Sequence, residues 1–366
     1  MSALPTLRRP RLTTTGIVWL ALAALLVLSA LLVGLRGQSL FTVPTTVDLL
    51  TRSSLLGFVA IGQTFVILSR SLDLSVGYVV ALSSLIAATV MAGDPARVPL
   101  GIAAALAVSA GVGLVNGLVI TKLKVNPFIA TLGVGLILKA YLDTRYQGPA
   151  GDVPSSFQGF GYSRIGVVPV STAVMIGVAI VGIVVLNRTK FGYHLFAVGG
   201  NDEVARFSGI RTDRALIGAH ILCSVCAGIA GLLIAARFGT GSALVYNSGY
   251  DLDSIAAVVL GGTLLLGGRG SVAGTLGGVF ILAVLDSVFN VLQVDPFFKD
   301  VLRGVIIVAA VAIYARRQID PTRSRPRFAP SGGPAETAPG EPPPPDADPG
   351  PPSAGTRSAD PAGARP

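Results

Sequence analysis

Residues 188–214 read RTKFGYHLFAVGGNDEVARFSGIRTDR, a polar stretch between two apolar runs. It carries Arg188, Lys190, Arg206, Arg211 and Arg214, a set of charges too costly to place in hydrocarbon. Inside it, Asn201 is suited to cap a helix, and Asp202 and Glu203 fill the first turn, where acids suit the helix dipole. Gly209 supplies a stop. These signals predict a short helix over 201–209, with Val204 and Phe207 on one face. A helix of about two turns does not hold together alone in water. Its apolar face therefore rests on the membrane domain or in a partner's groove, or the stretch is a plain interfacial connector. The residues leave these readings open.

The runs on either side set the class. The chain has 366 residues, is 51% hydrophobic and 13% charged, and has a mean hydropathy of +0.70. Soluble domains carry about 25% charged residues. An all-α, polytopic membrane helix bundle follows, with spans each near the ~20 residues that cross ~30 Å of hydrocarbon. Ten are expected, at 16–35, 49–69, 75–92, 100–121, 127–143, 169–187, 215–236, 251–267, 271–292 and 297–315. Lys139 lies within the fifth, and Asp251 and Asp253 open the eighth. With both termini cytoplasmic, nineteen of the 28 Lys and Arg fall on inner segments, as the positive-inside bias requires. That bias accounts for the net charge of +9 without a nucleic-acid partner.

The resulting order is a cytoplasmic N-terminal tail at 1–15, a transmembrane domain at 16–317 containing the cytoplasmic 188–214 loop, and a tail at 318–366. Fourteen of the 24 prolines lie in 321–366, a composition that buries no core and predicts a disordered cytoplasmic tail. The 144–168 loop, with Gly148, Pro149, Gly151, Pro154 and Gly159, predicts irregular structure outside, with room for a short interfacial helix. Gly111, Gly113 and Gly117 are among many small span residues that let helix backbones approach closely. The cluster at 261–270 can also break a helix where it lines a cavity. Two stretches, 64–77 and 263–274, resemble each other, and both are expected where a span turns at the inner surface.

The sequence carries no catalytic signature that fits. No G-x-x-x-x-G-K-[ST] is present, so nothing here cradles a nucleoside triphosphate. His194 and His220 lack an H-E-x-x-H setting, and Tyr250-Asp251 has no second carboxylate motif. Cys223 and Cys226, three apart on a span, read as helix packing. A stand-alone secondary transporter would need ionisable groups within spans. Asp286, with Asn290 one turn on, is the best candidate, and Asp73 lies nearer a span end. Uncharged polar residues are more frequent, including Gln63, Thr64, Ser83, Ser84, Asn116, Ser224 and Asn290. A pathway lined this way suits a neutral, hydroxyl-rich solute.

Several blocks resemble one family. Leu72-Asp-Leu-Ser-Val-Gly77 resembles the "(I/L)DLSVG" signature of permease subunits in ribose-type ATP-driven (ABC) importers. Asn116-Gly117, followed by Val125-Asn-Pro-Phe-Ile-Ala-Thr-Leu-Gly133, resembles their "NG…vpPFIvTLG" block. Thr189-Lys-Phe-Gly192, Ala197-Val-Gly-Gly-Asn201 and Ala205-Arg-Phe-Ser-Gly-Ile210 resemble "T.fGr…AiGgN…ArlsGI". Asp251-Leu-Asp-Ser-Ile-Ala-Ala257, Gly261-Gly-Thr263 and Gly267-Gly-Arg-Gly-Ser271 resemble "eLdaIAAvviGGtsl.GG.Gs". The match runs from about 45 to 315 in the same order. Departures stand at Arg70-Ser-Leu, Tyr78, Tyr250-Asp251 and Asp286-Ser287. The superfamily also serves branched-chain amino acids and nucleosides; the 201–210 loop looks more like its monosaccharide branch.

The resemblance implies a multi-pass subunit of the cell inner or plasma membrane that works as a homo- or heterodimer of permeases. It implies a separate ATPase that holds ATP and magnesium, an extracytoplasmic solute-binding protein, and no cofactor or catalysis in this chain. It also carries Asn201, Asp202, Glu203, Val204, Arg206, Phe207 and Gly209 over as residues that couple to the ATPase. Gln63, Thr64, Asp73, Ser75, Asn116, Asp286 and Asn290 remain the translocation-pathway candidates.

Overall fold

The computed structural model describes residues 13–295 and, beyond them, 297, 298, 301, 304, 305 and 308. All lie in the first of two units, 1–318 and 319–366. The expected tenth span falls mostly outside the described residues, as do most of the N-terminal tail and all of the Pro-rich one. Among the described residues the helices are α1 (Thr14–Gly34), α2 (Val43–Leu68), α3 (Val76–Met91), α4 (Val98–Lys122), α5 (Pro127–Arg145) and α6 (Ser155–Tyr162). They continue with α7 (Val170–Arg188), α8 (Lys190–Gly200), α9 (Asp202–Phe207), α10 (Thr212–Phe238), α11 (Tyr250–Leu260) and α12 (Val272–Val291).

Local chemistry starts these helices. Thr13, Thr42, Asn126 and Ser271 cap α1, α2, α5 and α12 with side-chain oxygens that accept from backbone N–H groups inside the first turn. Proline stands in the first positions of α2, α4 and α5, where no intrahelical donor is lost. Among the described residues, seven helices are long and apolar enough to cross a membrane: α1, α2, α4 (with the 3-10 turn Pro95–Arg97 before it), α5, α7, α10 and α12.

Two of the ten expected spans are shorter than the sequence suggested. The 75–92 segment forms the 16-residue α3, about 24 Å long, and the 251–267 segment forms only the 11-residue α11, about 16 Å. The second stops at Leu260 because two glycines follow. Gly261 packs on the Gly274 backbone, and Gly262 adopts φ +88, which side-chain-bearing residues rarely do.

Contacts show how these short pieces are used. Asp48 meets Arg237, and Gly62 packs on Cys223, so α2 and α10 are antiparallel. Thr64 meets Thr275, and Leu68 meets Gly268, so α2 and α12 are also antiparallel. Because α10 and α12 therefore run the same way, residues 239–271 must return through the bundle. They do so in two pieces, the 3-10 helix Ala243–Ser248 and then α11, with the break at Gly249, φ +73. Residues 69–75 are a second non-helical piece, below the start of α3. The start of α3, just after the first break, lies on the second: Gly77 faces the Tyr246 carbonyl and the Asp251 N–H, and the Tyr78 and Tyr246 rings lie 5.4 Å apart.

Helix α10 is central. It packs on α4 through Ser109, Gly113 and Gly117, a small residue every fourth position, where a Cβ on Gly113 would lie 2.5 Å from the His220 carbonyl oxygen. Such spacing lets backbones meet where lipid supplies no hydrophobic drive. Helix α2 is buried along nearly its whole length. The 144–168 loop contains α6 and a two-residue hairpin, Arg164–Ile165 with Val168–Pro169. The two similar stretches lie side by side: Gly268 N–H donates to the Leu68 carbonyl at 2.9 Å, and the Thr64 and Thr275 hydroxyls are 2.8 Å apart.

Candidate functional site

The 188–214 stretch contains two helices, not one. The first, α8, is capped by Thr189, whose hydroxyl accepts from Gly192 N–H at 3.3 Å. Three glycines within it lower helix propensity and hid it in the sequence. The same glycines let it dock. Gly192 sits against the Leu186 backbone, and Gly199 against the Leu68 carbonyl and Gly268, where no side chain would fit. Phe191 stacks on Phe65, with ring centroids 6.5 Å apart.

The second, α9, spans Asp202–Phe207. Asn201 Oδ1 accepts from Val204 N–H at 3.1 Å. After the helix, Ile210 N–H donates to the Ala205 carbonyl and Gly209 N–H to the Arg206 carbonyl, with Gly209 at φ +79. This paired closure is the Schellman motif. The helix leans on the chain's own membrane domain through Ala205 and Arg206, but its Val204 and Phe207 face does not. Ala205 faces inward at 3% exposure, while Val204 is 59% and Phe207 91% exposed. Glu203 is exposed beside them.

An ion-pair knot ties α9 to the bundle. Arg206 bonds Asp202 at 3.0 Å within the helix and reaches Asp213, at the start of α10, at 3.4 Å. Asp213 also meets Lys122 at 2.9 Å and Lys124 at 3.8 Å, beyond the end of α4. Asn201, Asp202, Glu203, Val204, Arg206, Phe207 and Gly209 thus share one surface element, supported by α8, α4 and α10.

The pathway candidates divide into three groups. Asp73, Ser75 and Asn116 form one fully buried cluster. Asp73 Oδ1 accepts from Ser75 N–H at 2.9 Å and from its hydroxyl at 2.6 Å. Asn116 Nδ2 donates to Ser75 Oγ at 2.8 Å and lies 3.3 Å from Asp73 Oδ2. His220 completes the cluster, with Nδ1 3.3 Å from Asp73 Oδ2 and Nε2 2.8 Å from Ser71 Oγ. Thr131 of α5 accepts from Leu74 N–H at 3.1 Å. The loop at 69–75 is thereby fastened to α4, α5 and α10.

Gln63 and Thr64 form a second buried group. Cys223 Sγ donates to Gln63 Oε1 at 3.4 Å, while Gln63 Nε2 has no partner. Asp286 stands apart, on a cavity of about 260 Å³ with Arg52, Tyr250 and Asp253, and Asn290 is exposed one turn on. His220, Ser71, Thr131 and Asp213 were not among the sequence candidates. A histidine within an apolar span was a visible signal, but its partner lies 147 residues away in the chain. Among the described residues, no group of three or more His, Cys, Asp or Glu is placed to hold a metal ion.

The family model described as branched-chain amino acid transport system / permease component matches residues 45–311. The ribose import permease protein RbsC of Escherichia coli (strain K12) is 35% identical over 303 residues, covering 81% of this chain and 94% of the relative. RbsC of Bacillus subtilis (strain 168) is 37% identical over 271 residues, 73% of this chain and 83% of the relative. The galactose/methyl galactoside import permease protein MglC of Haemophilus influenzae is 34% identical over 297 residues, 74% of this chain and 87% of the relative. No solved structure matches the chain.

Proposed function

The chain belongs to the family of branched-chain amino acid transport system permease components, and on that premise we propose that it is the transmembrane subunit of an ATP-driven importer for a monosaccharide. The similarity to ribose and galactose permeases supports the sugar class. The working assembly has two permease copies in the cell inner or plasma membrane, an ATPase below and a solute-binding protein outside. Each permease crosses ten times, with both termini cytoplasmic.

The observation that carries this reading is α9: a capped, anchored helix that leaves Phe207 91% exposed. A large aromatic held out by a rigid frame suits a groove on another protein. The ATPase pair closes on ATP and displaces α9. The displacement passes through the Arg206–Asp213 pair and the short 208–211 link to α10. Helix α10 carries His220 into the Asp73 cluster, so its movement opens or reseals the interior. Gln63, Thr64, Asp73, Ser75 and Asn116 form the closed part of the route, and Asp286 and Asn290 lie toward its outer end. Such movement requires that nucleotide and solute stabilise the inward and outward states unequally.

Reconstitution tests the reading. The purified chain alone should hydrolyse no ATP. With its ATPase and binding protein in liposomes it should accumulate D-ribose or D-galactose, dependent on ATP. Uptake by the chain alone, driven by a proton or sodium gradient, would reject the importer in favour of a secondary transporter.

A further inference from the structure

Two cavities adjoin where the 239–271 return breaks. One, about 610 Å³, lies between α2, α10 and the 3-10 helix, and the other, about 260 Å³, between α2, α11 and α12. Arg52, Ser248 and Tyr250 line both; Arg237 lines the larger, and Asp253 and Asp286 the smaller. Arg52 lies about 13 Å from the start of α2 and Asp286 about 7 Å from the end of α12, both toward the outer ends of apolar helices. Charges within apolar spans are costly and face cavities or partners rather than lipid.

The walls are held in place. Asp48 pairs with Arg52 at 2.6 Å and with Arg237 at 3.2 Å, fixing both guanidinium groups on one side. Arg237 Nη1 is nevertheless buried without a hydrogen-bond partner, a donor costly to leave unsatisfied. The backbone breaks at Gly249, between the wall residues Ser248 and Tyr250, and the first turn of α3 packs on the same segment at Gly77. Interrupted crossings that line a cavity are how membrane proteins present ligand sites between their helices.

We propose that these neighbouring cavities bind the transported sugar within this chain. The guanidinium groups of Arg52 and Arg237 donate to hydroxyl or ring oxygens, the carboxylates of Asp253 and Asp286 accept from hydroxyls, and the Tyr250 ring covers a C–H face. Both signs of charge line the walls, which suits a neutral polar ligand better than an ion. The larger space, about 610 Å³, has room for a single small ring, since ligand pockets run to about 300–1,000 Å³. The sugar class rests on the importer reading above; the site itself rests on the cavities and the charged side chains that line them.

Cysteine labelling tests the site on the full chain in open membrane fragments. Cys223 and Cys226 are buried, at 0% and 5% exposure, so the unaltered chain should resist a charged thiosulfonate reagent. Ser248→Cys should react. D-ribose or D-galactose should slow that reaction about tenfold once the sugar exceeds its Kd by about tenfold. Leu244→Cys, on the same wall, serves if Ser248→Cys fails to accumulate. Asp286→Asn in the Ser248→Cys background should raise the sugar concentration needed for protection.

Absence of labelling at both positions overturns the proposal, and so does labelling that neither sugar slows. Protection by L-leucine but not by sugar also overturns it. Binding of the ATPase by the same preparation reports separately on the importer reading. A chain that binds ATPase yet shows no sugar protection rejects the site alone; one that shows protection without ATPase binding rejects the importer alone.

Discussion

Truncating Phe207 should weaken ATPase binding without weakening the membrane domain. The ring is 91% exposed, so Phe207→Ala should change the chain's own stability by less than about 0.5 kcal/mol. Burying a phenylalanine side chain at an interface contributes about 1.5–3 kcal/mol. At about 1.4 kcal/mol per tenfold in Kd, the variant should bind its ATPase roughly ten to a hundred times more weakly. Phe207→Asp should do worse, because it also brings an unpaired carboxylate into an apolar groove. The assay is titration of ATPase onto the permease in lipid nanodiscs, beside a thermal melt of the permease alone. An unchanged Kd in Phe207→Ala, or normal assembly of Phe207→Asp, would refute the coupling role of α9. A large fall in melting temperature would instead show that the ring supports the fold.

Other expectations concern packing and the buried cluster. Gly113→Leu should destabilise the bundle by at least about 1–3 kcal/mol, because the His220–Ile221 backbone already occupies the space, with His220 O 2.5 Å from the new Cβ. Gly111→Ala, two residues away, meets nothing within 4 Å and should be neutral or stabilise by about 0.5–1 kcal/mol. A melting series in detergent checks both, and equal effects would refute the small-residue seam between α4 and α10. Asn116→Leu should cost about 1–3 kcal/mol by removing a donor from Asp73 and Ser75. Asn116→Asp should cost more, since its carboxylate would face that of Asp73 across about 3.3 Å. The reverse order of melting temperatures would mean that the cluster is solvated rather than sealed.

Much of the 201–210 element was legible because its determinants are local. A cap at Asn201, acids at 202 and 203, and a glycine at 209 act within one or two turns, and the structure shows the cap and the closing motif at those positions. The preceding α8 was not legible. Its stability comes from Gly192 and Gly199 docking on Leu186, Leu68 and Gly268, partners that no local signal names. The 251–267 segment fails as a continuous span for the same reason. Its hydropathy favours a crossing, but Gly261 is needed for contact with Gly274, and the helix stops.

The sequence by itself determined the class of this protein. Length and apolarity are summed along the chain, and hydrocarbon selects on that sum, so the long helices and the polar island between them follow from composition. Tertiary structure alone decided which polar groups meet. Asp73 finds His220 across 147 residues, Arg237 finds Asp48 across 189, and the start of α3 and the break at 249 come together only when α2 is enclosed by α10, α11 and α12. Such pairings depend on helix rotation and depth in the bundle. Small residues set these by backbone contact at single positions, which periodicity along one helix does not encode.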